Sequence, residues 1–191
     1  MRGSATTRGG AGGGGVTWLR SKLVDGPKMP PIDQPAWLAH AWAELGQHET
    51  PGSETNPHIR AFFADAGQPE VSSDETAWCA AFLGACLQRA GIPPSGSLLA
   101  RSYLTWGELT LPRLGAIAVF SRDGDPTLGH VAFLIGETPD AFLLLGGNQH
   151  DAVTVAPFPK SRLLSLRWLA GASPGRDLGR VPQIRSGGEH L

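Results

Sequence analysis

Two cysteines in 191 residues are too few for a disulfide framework, and their spacing excludes even one internal bridge. Cys79 and Cys86 fall in one segment that reads as a helix, where seven residues at a rise of roughly 1.5 Å put them about 10 Å apart. A disulfide needs Cα atoms within about 7 Å. A surplus of basic residues is also missing. The formal net charge is −1, so the chain lacks the phosphate-neutralising excess that nucleic-acid binding requires. No stretch approaches the roughly 20 apolar residues of a membrane span, so no membrane insertion is expected. The N-terminal MRGSATTRGGAGGGG carries basic residues but not the apolar run of about 7–15 that a secretory signal needs. The expectation is a protein made in the cytoplasm and delivered by other means.

Metal motifs are equally scarce. His40, His48, His58 and His150 show no HExxH or comparable spacing, which leaves zinc hydrolysis a weak rival. Asp123 and Asp125 in SRDGDP lack the ligand spacing of an EF-hand, so a plain turn is preferred over a calcium loop. No metal and no cofactor are expected.

What remains suits one domain: apolar residues make up 41% of the chain, enough for a single core. Residues 1–34 are rich in Gly and Pro and read as a flexible tail, 35–170 as the domain, and 171–191 as a second tail. Pro35 suits the first position of a helix through Trp37 and Leu45, and a polar loop then leads to a short helix near Ile59–Ala64. SSDETAWCAAFLGACLQRAG predicts a helix carrying both cysteines. Ser72 and Glu75 have capping-box spacing, and Asp74 and Thr76 are alternative caps. Its interior is free of charge from Ala77 to Leu87, which predicts burial all round, with Gly91 and Pro93 as the stop. From Gly115 the pattern changes to short apolar runs, GAIAVFS, HVAFLIGE, AFLLLGGN, AVTVAPF and RLLSLRWL, joined by turns too short for parallel crossovers. The predicted fold class is α+β, a buried helix lying on an antiparallel meander.

Cys79 stands within the first turn of the buried helix, where the helix dipole favours a thiolate and a neighbouring imidazolium would favour it further. Cys86, two turns deeper, reads as a core residue. On this basis iodoacetamide should label Cys79 at mildly acidic pH well before Cys86, and His130→Ala should slow that labelling. His130 follows TLG at a predicted strand start. The hairpin centred near Pro139–Asp140 places it opposite Asn148 or Gln149, with Cβ atoms about 4.5–5.5 Å apart. An amide oxygen there can accept from one imidazole nitrogen and leave the other to face a thiol. Pro139 disfavours a two-residue primed turn, so counting leaves Asn148 and Gln149 open.

HETPGSETNPHI (48–59), TAWCAAF (76–82), GHVAFLIGE (129–137) and GGNQHDAVTV (146–155) occur in the order Cys at a helix start, His at a strand start, then a polar amide. In this the chain resembles the papain-like cell-wall hydrolases, the CHAP and NlpC-type groups, over about residues 37–168. The nearest likeness is to a small phage- and bacteria-associated subgroup. The resemblance implies a papain-like fold with Cys79 as nucleophile, His130 as base and Asn148 as third member, the preceding Gly146 and Gly147 favouring Asn148 over Gln149. It also implies amide hydrolysis in peptidoglycan, at the muramoyl–alanine bond or within the stem peptide, by a monomer. Delivery as a lysin, in a virion or by injection would bring in delivery machinery or an inhibitor protein. Glu49, in a matching segment, is a candidate for the cleft, and Trp78 and Trp106 are candidates for the flanks of a substrate groove. A cysteine acyltransferase or deamidase acting on a protein, and a catalytically silent wall-binding module, are the rival readings.

Overall fold

A computed structural model describes residues 34–51, 55–122 and 125–170. The expected tails, apart from Gln34, and Asp123 of the SRDGDP segment lie outside the described residues. Helix α1 spans Ala36–Ala43, α2 spans Pro57–Asp65 and α3 spans Cys79–Arg89. The six strands are β1 (Glu108–Leu109), β2 (Ile117–Arg122), β3 (Asp125–Glu137), β4 (Ala141–Gly146), β5 (Thr154–Pro159) and β6 (Leu163–Trp168). The fold is thus α+β with one six-stranded antiparallel sheet.

Helix α3 is the centre of the core. Every residue from Cys79 to Leu87 is buried, as its charge-free sequence predicts. Phe82 projects from it to meet Phe62 of α2 at 5.3 Å and Phe133 of β3 at 6.4 Å, so one side chain joins the helical layer to the sheet. Arg89, in the last turn, is paired with Glu44 at 2.8 Å and Asp65 at 2.7 Å. A cation there also complements the helix dipole. The expected N-terminal caps are not used. Trp78 occupies the N-cap position and no side chain caps the helix. Asp74 turns away instead, accepting from the backbone N–H of Thr50 (3.2 Å) and Asn56 (3.0 Å), two donors in an irregular loop that need an acceptor more than the helix does.

The strand order is β1-β6-β2-β3-β4-β5. Strands β2 to β5 form the expected meander, whereas β6 returns to pair with β2, and the short edge strand β1 has no counterpart in the sequence pattern. The sheet is strongly curled. Strands β2 and β5 would lie roughly 14 Å apart in a flat sheet at about 4.8 Å per strand. Yet the rings of Phe120 on β2 and Phe158 on β5 have centroids only 5.4 Å apart. Chain reach requires this. Only Lys160–Arg162 link β5 to β6, a span of at most about 14 Å, and a flat sheet would need roughly 19 Å.

Candidate active site

Strand β3 begins at Asp125, five residues before His130, so the TLG segment is strand rather than turn. His130 pairs with Phe120 on β2, and its ring stacks on Phe158 of β5 with centroids 4.8 Å apart and planes 3° from parallel. The curl of the sheet is what delivers Phe158 to this position.

The side chain hydrogen-bonded to His130 is that of Gln149. Its Oε1 lies 3.0 Å from His130 Nε2. The amide nitrogen of Gln149 donates to the carbonyl of Thr154 at 2.6 Å, with longer contacts to the carbonyl of Leu144 (3.4 Å) and to Thr154 Oγ1 (3.3 Å). An amide has one donating and one accepting end, so two carbonyls on the nitrogen side leave the oxygen for histidine. The imidazole must then carry its proton on Nε2 and expose the Nδ1 lone pair. Gln149 is 4% exposed, so this orientation is held in a dry setting.

The assignment of Asn148 as third member is therefore corrected. The register of the hairpin follows the expected pairing through Phe133–Leu145 and Leu134–Leu144, but β4 stops at Gly146. Asn148 adopts a left-handed φ of 54°, as do His150 (56°) and Asp151 (57°), and this turn breaks the alternation that would have faced Asn148 toward His130. Asn148 lines the cleft instead. Gly146 and Gly147 serve close approach: a Cβ on Gly147 would fall 2.5 Å from the Trp78 ring and 2.6 Å from Phe82 Cβ. The sequence held this signal, since a Gly-Gly pair ahead of polar residues marks a loop pressed against another element.

Cys79 is the first residue of α3 and lines the same cleft as His130, a cavity of about 410 Å³. The hydrogen bond of His130 is to Gln149 and not to Cys79. The sulfur is instead approached by the backbone N–H groups of Val131, next to His130, and of Ala80. Burial pushes the Cys79 thiol above its usual value, opposed by those donors and by the Arg122 charge. Burial likewise pulls His130 down to about 4, the Gln149 bond opposing and Arg122 and Arg162 reinforcing the shift.

The expected exposed thiolate is thus corrected: Cys79 is 7% exposed, and at neutral pH thiol and imidazole are both uncharged. Desolvation outweighs the helix dipole here. Iodoacetamide should accordingly label Cys79 slowly at pH 6 and progressively faster above pH 9, while Cys86, with no exposed surface and a thiol pushed up by burial, waits for unfolding. Labelling of Cys79 at pH 6 as fast as at pH 9 would contradict the neutral resting pair.

Of the supporting residues, Trp78 is fully buried and therefore belongs to the core, not to a substrate groove. Its indole nitrogen donates to Glu49 Oε1 at 2.7 Å. Glu49 is not among the described residues that line the cleft, and its bond fixes the residue before Cys79. Trp106 is half-buried and donates to the Pro93 carbonyl at 3.0 Å; it does not line the cleft. Among the described residues no cluster of His, Cys, Asp or Glu could hold a metal ion. No protein-family model matches the chain, and comparison with curated proteins gives no match.

Proposed function

We propose that the chain is a cysteine amidohydrolase in which Cys79 is the nucleophile, His130 the base and Gln149 the residue that orients the base. The observation that carries this reading is the clamped Gln149 amide, which presets the imidazole with Nδ1 bare in the cleft that Cys79 lines. As the sulfur attacks a carbonyl carbon, Nδ1 takes the thiol proton, so that charge develops during the step rather than before it. The N–H groups at the start of α3, which no side chain caps, would stabilise the oxyanion. The imidazolium then gives its proton to the leaving amine, and water hydrolyses the thioester.

The substrate class is proposed from the sequence resemblance: an amide of peptidoglycan, reached after delivery to the wall, with the papain-like arrangement of helix and sheet as its frame. Digestion of purified peptidoglycan followed by mass analysis tests it. New free muramoyl groups or new stem-peptide amino termini are expected, and each names the bond. An intact wall together with acylated or deamidated protein substrates would replace this reading with the transferase one, and an intact wall that retains the protein would leave a binding module.

A further inference from the structure

The hydrogen bond of His130 leaves an electrostatic problem unsolved. As the ring takes the thiol proton it becomes a cation, yet Gln149 is uncharged and the charges that reach the ring, those of Arg122 and Arg162, are positive. Burial adds to the cost of charging it. Among the described residues no carboxylate pairs with His130. The ring does have a partner on its face. Phe158 lies parallel to it, with 3° between the planes and 4.8 Å between the centroids. An aromatic face carries partial negative charge, so a cation stacked on it is stabilised, the more so where water is excluded. Phe158 is itself held from two sides. Phe120, the register partner of His130 on β2, meets its ring at 5.4 Å and 55°, and Phe142 on β4 is its own register partner. The stack also has a geometric consequence. The Gln149 bond fixes one edge of the imidazole but lets the ring tilt about that edge, and a parallel neighbour opposes the tilt.

We propose that Phe158 is a positioning residue for the reaction, its ring face stabilising the imidazolium that His130 becomes and holding that ring in the plane in which Nδ1 receives the proton. This rests on the amidohydrolase reading and adds to it a residue that acts through the base. The stack serves the charged ring more than the neutral one, so its effect falls on the chemical step and not on substrate binding. The groups around the ring that carry or exchange charge are Arg122 of β2, Arg162 of the β5–β6 link, the Cys79 thiol of α3 and, across the cleft lining, His150 of the turn after β4. A change confined to the face of residue 158 leaves all four in place.

Three changes at position 158 of the full chain test this: Phe158→Leu, Phe158→Tyr, and replacement by trifluorophenylalanine, which keeps the ring's shape and weakens the negative charge of its face. On a soluble muramoyl peptide, Phe158→Leu and the fluorinated protein should lose about 5- to 30-fold in kcat with KM within about twofold, and Phe158→Tyr should keep most of the rate. Titration of His130 by nitrogen NMR is a second arm that does not depend on turnover. In the fluorinated protein the imidazolium should give up its proton at lower pH than in wild type, because the charged form has lost its stabilising face. A lowered titration in a protein whose wild type cleaves no peptide would sink the hydrolase reading and leave the hold of Phe158 on the imidazolium standing. An active fluorinated protein with wild-type kcat and wild-type titration would overturn the proposal. So would a raised KM at unchanged kcat, which would make Phe158 a wall of the substrate site.

Discussion

Replacing Cys79 with alanine should abolish amide hydrolysis, lowering kcat by at least about 10⁴-fold, while the protein stays folded. No second thiol is among the described residues that line the cleft: Cys86 is fully buried two turns further along α3. The packing loss is small because only one sulfur atom is removed at the cleft end of the helix, a cost of roughly 1 kcal/mol. The check is peptidoglycan turnover measured beside the thermal midpoint. Hydrolysis near the wild-type rate in a folded Cys79→Ala protein would remove the nucleophile from the proposal.

Gln149→Ala should lower kcat by about 10²- to 10⁴-fold, the range expected when a general base loses its alignment. The same change leaves the Thr154 and Leu144 carbonyls without their amide donor, at a stability cost of about 1–3 kcal/mol. A purely structural role would produce that second effect alone, so nitrogen NMR of His130 is the deciding measurement. Wild type should show the proton on Nε2 and a bare Nδ1; the variant should show a mixture of tautomers. Asn148→Ala should retain kcat within about tenfold, because Asn148 lines the cleft without touching the imidazole. A larger loss in Asn148→Ala than in Gln149→Ala would reverse the assignment.

The elements with one dominant signal were legible in the sequence. The charge-free run around Cys79 specifies a buried helix, and five apolar runs with short turns specify the antiparallel strands. Cys79 stands at the helix start that the pattern marks, whereas His130, expected at a strand start, lies five residues inside β3; both line one cleft. The choice between Asn148 and Gln149 depends on three left-handed residues at 148, 150 and 151, a conformation sustained in part by tertiary hydrogen bonds to residues 46–49. The charge states were misread for a related reason. Helix position is visible in sequence, whereas the burial that outweighs the dipole at Cys79 depends on how α3 meets β3. Trp78 and Trp106 show the same limit: an aromatic residue near a nucleophile gives no sign of which way its ring turns.

The three-residue link between β5 and β6 gives the chain an uneven tolerance of length. The Thr138–Asp140 connection between β3 and β4 is half-buried to exposed and closes a hairpin that already tolerates a bulge between Leu134 and Gly136, so added residues there would extend a surface loop. Each residue added at Lys160–Arg162 would instead release about 3.5 Å of slack into the closure of the sheet. The stack of Phe158 on His130 and the placement of Arg162 both depend on that closure. Insertions at this joint, whose last residue lines the cleft, would therefore be read at the proposed catalytic centre, and variation in length among proteins sharing this site should concentrate in the hairpin and avoid the link.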